Sequence, residues 1–265
     1  MPMPEPQPGT LFVGRDRELD ELIRGLDDAT HGRGRLYLVA GEPGIGKSRL
    51  ADELASRARE AGMRVLWGRG WEDAGAPPYW PWVQVLRSYL RTADPDETRR
   101  HAAGRAGEIV QMVPELLAHV PDVEPVVAGE SDSARFQLFD SVASFLRSAA
   151  QSAPLLVVLD DLQAADTPSL RFLRFLASQL ADSSILILAT YRELEVTAEH
   201  PLAEALVELG REPSTRVMRL QGLGEDSVGR FVQAAAGRVP RAVKNAEHFD
   251  AIIANDVVHH VLELP

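Results

Sequence analysis

The stretch GEPGIGKS at residues 41–48 constrains this chain more than any other eight residues in it. The pattern G-x-x-x-x-G-K-S does its chemistry only between a strand and a helix. Both flanks meet that demand. Residues 35–40, RLYLVA, form an apolar run expected as a buried strand. Residues 48–58 place Leu50, Leu54 and Ala58 on one helical face. A strand, a glycine-rich turn and a helix N-terminus aim several backbone N–H groups at one point, and the helix dipole adds positive potential there. The sequence therefore predicts a phosphate-binding loop. Pro43 has no N–H, so Gly44, Ile45, Gly46, Lys47 and Ser48 are expected to build the cradle. Lys47 is placed to reach the β- and γ-phosphates, and the Ser48 hydroxyl to ligate Mg²⁺.

Cation usage sharpens this reading. Of 28 basic residues only Lys47 and Lys244 are lysine. A chain that writes nearly every cation as arginine keeps an ammonium, a compact point charge, in the loop. The net charge of −11 argues against broad nucleic-acid coating, and cysteine is absent, which removes disulfides and thiolate metal sites. The opening MPMPEPQPGT lacks the charged and apolar regions of a signal peptide and suggests a short extended arm over 1–10. The runs LLVVL and ILILA are too short to span a bilayer. The expectation is a soluble cytoplasmic protein.

Strands and helices alternate along the chain. Helices are expected at 16–29 (Leu19, Leu22, Ile23, Leu26 inward), from about 80 to Arg91, and at 133–150 with Phe136, Phe139, Val142, Phe145 and Leu146 on one stripe. Others are expected at 167–180 and 201–209, with an interrupted helical stretch over 96–120. Strands are expected at 35–40, 64–67, 154–159, 185–190 and 216–220. This alternation predicts a doubly wound α/β sheet. Tyr79, Trp80 and Trp82 read as core anchors, Arg171 and Arg174 as a solvated helix face, and Asp166 as a helix N-cap. His259, His260 and Glu263 lack a third ligand at convincing spacing and are not read as a metal site.

A second chemical signal lies at 155–161, LLVVLDD. Two carboxylates end a buried hydrophobic run, and ligands in open α/β sheets bind off the carboxyl ends of strands. Asp160 is expected to hold Mg²⁺, through water, and Asp161 to orient or polarise the attacking water. Thr190-Tyr191-Arg192 closes the run ILILA, where a polar or cationic residue can sense the γ-phosphate; the other reading of Arg192 is a surface arginine after a strand.

These residues resemble the STAND/AAA-type ATPase module of large bacterial signalling proteins, such as the ATP-binding LuxR-type regulators and cyclase-linked proteins. The likeness runs through FVGRDREL at 12–19, GEPGIGKSRL, APPYWPWVQVLR, LVVLDDLQAADTPSLRFLRFLA and ILILATYRE, covering most of 11–237. Gln163 stands where that family often has His. The resemblance implies an α/β, doubly wound parallel-sheet P-loop NTPase over 11–222, with a partial helical lid and divergent tail over 223–265. It implies ATP and Mg²⁺ as ligands, with Val13, Gly14 and Arg15 bordering the adenine pocket, and Gly41, Gly44, Ile45, Gly46, Lys47, Ser48 and Arg49 around the phosphates. Lys47, Asp161 and Arg192 are the implied catalytic set, and Ser48 and Asp160 the metal set. The implied function is a slowly hydrolysing signalling switch. The alternatives are a DNA-associated ATPase of the origin-recognition type, or an ATP-binding fragment without its effector. The apolar stripe Ile252, Ile253, Val257, Val258, Val261 and Leu262 suggests self-association or a protein partner.

Overall fold

Five parallel strands form one sheet in the order β2-β3-β4-β1-β5. They are β1 (Arg35–Gly41), β2 (Arg64–Arg69), β3 (Leu155–Asp160), β4 (Ile185–Arg192) and β5 (Thr215–Arg219). The computed structural model describes residues 12–72, 75–124, 126, 131–224 and 227–228. The arm at 1–10, nearly all of the segment after 224, and the His259, His260 and Glu263 group lie outside the described residues.

The sheet is covered on both faces, which is why its central strands carry continuous apolar runs, 155–159 in β3 and 185–189 in β4. Every residue of β3 is buried. Alternate side chains feed two separate cores. Tyr37, Val39, Leu156, Val158, Leu186 and Leu188 pack on one face with α1 (Asp16–Thr30) and α2 (Lys47–Glu60). Leu36, Leu38, Val157, Leu159, Ile185 and Ile187 pack on the other. That face carries α3 (Trp80–Thr92), α4 (Pro95–Ala102), α5 (Ala106–Ile109), α6 (Asp132–Ser152), α7 (Thr167–Ala177) and α8 (Pro201–Leu209). The expected doubly wound architecture is the one observed.

The differences from the sequence expectation have local causes. Ile23 sits one position off the buried stripe of α1 and is 37% exposed, while Leu19, Leu22 and Leu26 are buried. Phe136, expected in the α6 stripe, is 59% exposed; it rests edge-on against Phe175 at the rim of the core. The α7 helix ends at Ala177, where the Ser178 hydroxyl bonds the Phe175 carbonyl at 2.8 Å and the chain turns to bury Leu180. The 96–120 stretch breaks at Gly104, whose φ of 73° suits glycine. The aromatic anchors behave as expected: Trp82 is buried edge-on to Phe172 and its indole N–H bonds the Ser169 carbonyl at 3.1 Å. Arg171 is exposed, as expected of a solvated face, and Arg174 pairs with Glu208 of α8. The strand β2 runs two residues further than expected, to Arg69, and this matters for the site.

Candidate functional site

The parallel sheet puts the carboxyl ends of β1, β3 and β4 side by side, and the sequence puts a polar group on each. β1 delivers the phosphate loop. Gly44 and Gly46 have φ of 74° and 101°, values that L side chains rarely adopt, so the turn needs glycine at both. Gly46 caps α2, and the first N–H groups of that helix have no intrahelical carbonyl to bond. They face the loop as a ready anion site. The Lys47 ammonium is buried within this turn and donates to the carbonyls of Gly41 and Glu42, each at 2.9 Å. Burial lowers its pKa; the Asp161 carboxylate works against that shift.

β3 delivers the two carboxylates, and they face different partners. The Ser48 hydroxyl donates to Asp160 Oδ2 at 3.1 Å, across 112 residues of sequence. Thr190, near the end of β4, donates through its hydroxyl to Asp160 Oδ1 at 2.5 Å and accepts from the Asp161 N–H at 3.1 Å. One hydroxyl thus fixes both acidic residues. Ser48 and Asp160 are hard oxygen donors in mutual contact at the mouth of the loop, a set suited to Mg²⁺ that also takes phosphate oxygens and water. Among the described residues no group of three His, Cys, Asp or Glu side chains is placed to hold a metal ion.

Asp161 sits at φ 56°, a left-handed backbone that turns its carboxylate sideways. Its Oδ1 accepts from the Gln163 amide at 3.1 Å, and its Oδ2 accepts from Arg69 Nε at 2.9 Å and from a second guanidinium nitrogen at 2.5 Å. Burial pushes this carboxyl up, but the Gln163 and Arg69 hydrogen bonds and the Arg69 and Arg192 charges outweigh it and hold it below the usual carboxylate range. Arg192 ends β4 with Nε 3.6 Å from Asp161 Oδ1, and it also pairs with Glu195 at 2.9 Å and Glu72 at 3.5 Å. Gln163 completes the ring: its carbonyl accepts from the Arg192 N–H at 3.1 Å.

The segment 13–15 meets the loop from the other side. The Arg15 guanidinium is buried and donates to the Ile45 carbonyl at 3.1 Å and the Gln221 carbonyl at 2.6 Å. A Cβ on Gly14 would lie 2.6 Å from Ser227 and 2.9 Å from Leu223. Val13, Gly14 and Arg15 therefore lie between the phosphate loop and the chain beyond β5, with Val13 half-buried. Arg49, half-buried on the first turn of α2, completes the loop's exit.

The profile of the family described as AAA ATPase domain matches residues 11–188, more than half of the chain. The chain belongs to that family. Membership of the AAA ATPase domain family implies nucleotide binding. No curated protein matches the chain in sequence. Among solved structures it is similar to Cdc6p from Pyrobaculum aerophilum, at 14% identity and TM-score 0.49, covering 87% of this chain and 50% of that one. It is similar to a STAND protein with a tetratricopeptide repeat sensor from Pyrococcus horikoshii, at 15% identity and TM-score 0.47, covering 87% and 26%. It is similar to AMPPCP-bound DnaA from Aquifex aeolicus, at 13% identity and TM-score 0.42, covering 88% and 55%. The chain thus spans about half or less of those proteins' lengths. No helix among the described residues is long and apolar enough to cross a membrane.

Sequence reasoning places Lys47, Ser48, Asp160, Asp161 and Arg192, and the fold brings all five together. It gives no role to Arg69, and to Thr190 only that of a polar residue at a strand end able to sense the γ-phosphate. Thr190 is visible in the sequence as a polar residue closing an apolar strand beside the acidic one. Arg69 is hidden because Gly68 reads as a strand breaker, yet β2 continues through it; a Cβ there would lie 2.1 Å from the Pro81 carbonyl oxygen.

Proposed function

We propose that this chain binds MgATP and hydrolyses it slowly, as the nucleotide switch of a signalling protein. The observation that carries this reading is the convergence of Lys47, Ser48, Asp160, Asp161 and Arg192 at three adjacent strand ends. Lys47 and the N–H groups of Gly44–Ser48 cradle the phosphates. Ser48 and Asp160 would hold Mg²⁺, which would supply charge neutralisation at the phosphate oxygens. Asp161 orients a water. That water adds to the γ-phosphorus as the bond to the β–γ bridging oxygen breaks, and its proton passes by way of Asp161 to the products, ADP and phosphate. Arg192 exchanges its carboxylate partners for the γ-phosphate and so registers whether ATP or ADP is bound. Val13–Arg15, joined to the phosphate loop and to Gln221, Leu223 and Ser227, border the base and couple the loop to the chain beyond β5.

The charge balance favours a signalling output over DNA binding, since a net −11 repels phosphate backbones. The test is equilibrium binding of ATP and ADP to the purified chain, with and without Mg²⁺, alongside a turnover assay. Turnover should be on the order of 10⁻² s⁻¹ or below, as in unassisted phosphohydrolase switches. Lys47→Ala should weaken ATP binding by at least about tenfold, because it removes the ammonium from the phosphates. Unchanged affinity in a folded Lys47→Ala protein overturns the reading, and a DNA affinity that falls steeply with salt replaces the signalling output by the DNA-associated one.

A further inference from the structure

The APPYWPW stretch at 76–82 plays no part in the phosphate site. It bounds a separate cavity of about 460 Å³, enclosed by the β2 exit, the start of α3, the loop after β3 and the turn after β4. That size is ordinary for a small-molecule site, which runs from roughly 300 to 1,000 Å³. Two indoles line it, Trp80, half-buried, and Trp71, which is 53% exposed. Glu72, Asp166 and Glu195 line the same space. Glu72 and Glu195 share one guanidinium, that of Arg192, at 3.5 and 2.9 Å. Asp166 accepts from the Tyr79 N–H, the Ser169 N–H and the Ser169 hydroxyl, and pairs with no cation among the described residues.

The walls are held by main-chain contacts. The Trp71 N–H bonds the Ala164 carbonyl at 3.1 Å. Tyr79 sits at φ 65°, a strained value for a bulky residue, with its N–H on Asp166 at 3.1 Å. Strain of this kind persists only where the surroundings impose it, and ligand clamps are one such place.

The lining selects the ligand. Carboxylates turn away anything that carries phosphate. Among the described residues no three acidic or histidine side chains are placed to hold a metal ion, so the negative charge is too spread for a bare cation. An organic cation suits both parts of the lining, because its charge is drawn to carboxylates and to indole faces alike. We propose that this cavity is a regulatory site for an alkylguanidinium or alkylammonium ion, its stem against Trp71 and Trp80 and its charge between Glu72 and Glu195.

The regulatory consequence rests on the ATPase reading above. A cation seated here competes with Arg192 for Glu72 and Glu195, and Arg192 is freed for the γ-phosphate. Gln163 lines the cavity and accepts from the Arg192 N–H at 3.1 Å, so it is the wall between the two sites. Cation and ATP then strengthen each other's binding by the same factor.

The experiment titrates agmatine, and separately the capped tripeptide acetyl-Gly-Arg-Gly-amide, into the full chain at physiological salt without nucleotide, read by calorimetry. Saturable binding with Kd of about 1 mM or tighter is expected for at least one probe. Stronger binding of the tripeptide assigns the cation to a polypeptide, and stronger binding of agmatine assigns it to a free amine. Trp71→Leu should weaken the probe about tenfold while its melting temperature and ATP affinity stay at parental values. Saturating probe should tighten ATP about fivefold and leave ADP unchanged, and Arg192→Gln should keep the probe but lose this coupling. No saturable binding of either probe at about 10 mM overturns the site, and so does an affinity unchanged in Trp71→Leu, which would mark general attraction to an acidic protein. Binding without coupling to ATP overturns the regulatory role. A parent chain that binds no ATP overturns the ATPase reading, a failure told apart from that of the cation site because the probe is measured without nucleotide.

Discussion

Gly70→Ala is the sharpest mechanical test of how this site is built. The new Cβ would lie 2.2 Å from the Asp161 carbonyl oxygen and 3.0 Å from the carbonyl carbon and Cβ of Ala164. Two of these three are backbone atoms, so no rotamer change relieves the contact. Either the β2 exit or the loop after β3 must move. Overpacking of this kind costs about 1–3 kcal/mol. The movement also strains the Gly70-to-Asp160 and Trp71-to-Ala164 backbone bonds, each contributing about 1 kcal/mol. Alanine returns about 0.4–1 kcal/mol by stiffening the unfolded chain. The net loss is about 2 kcal/mol, which lowers the melting temperature by about 4–8 °C in a domain of this size. The functional effect should be uneven. Asp160 and Asp161 are displaced, whereas the phosphate loop belongs to β1 and α2. Turnover should fall at least about tenfold while ATP affinity measured without Mg²⁺ changes less than about threefold, a difference that calorimetric binding and a phosphate-release assay resolve. A Gly70→Ala protein with parental melting temperature and turnover would refute the close packing of β2 against the acidic loop.

Three further outcomes are expected. Asp160→Asn should weaken ATP binding mainly when Mg²⁺ is present, whereas Asp161→Asn should keep MgATP bound and suppress hydrolysis; identical behaviour in binding and single-turnover assays would refute this division of labour. Arg15→Ala removes a buried guanidinium from the Ile45 and Gln221 carbonyls, and should cost about 2 kcal/mol in denaturant titrations and speed hydrogen exchange at 41–48; unaltered exchange there would mean that the clamp does not hold the loop. Truncation after Pro240 should leave ATP affinity nearly unchanged and reduce self-association measured by sedimentation; loss of ATP binding would make the removed segment part of the nucleotide site.

Much of this protein is legible without coordinates because its signals are short-range. The GEPGIGKS turn works through the N–H groups of its own residues, so its identity survives being read in isolation. The α8 helix is expected at 201–209 and spans Pro201–Leu209, since a proline start and one apolar stripe mark both ends. The all-apolar run ahead of Asp160 announces a strand covered on two faces. Tertiary structure decided the rest, for a common reason: the deciding contacts join residues far apart in sequence. No periodicity shows that Arg69 donates to a carboxylate 92 residues later, or that Thr190 holds an acid 30 residues earlier. Gly68 looks like a break in β2 until Pro81 is seen against it, and Phe136 looks like core until the rim of α6 and α7 is in place. Arg15 is expected beside the adenine pocket, yet only the fold makes it the tie between the Ile45 and Gln221 carbonyls. Local sequence named the groups expected to meet phosphate; the sheet order, which sets β4 between β1 and β3, decided which of them meet one another.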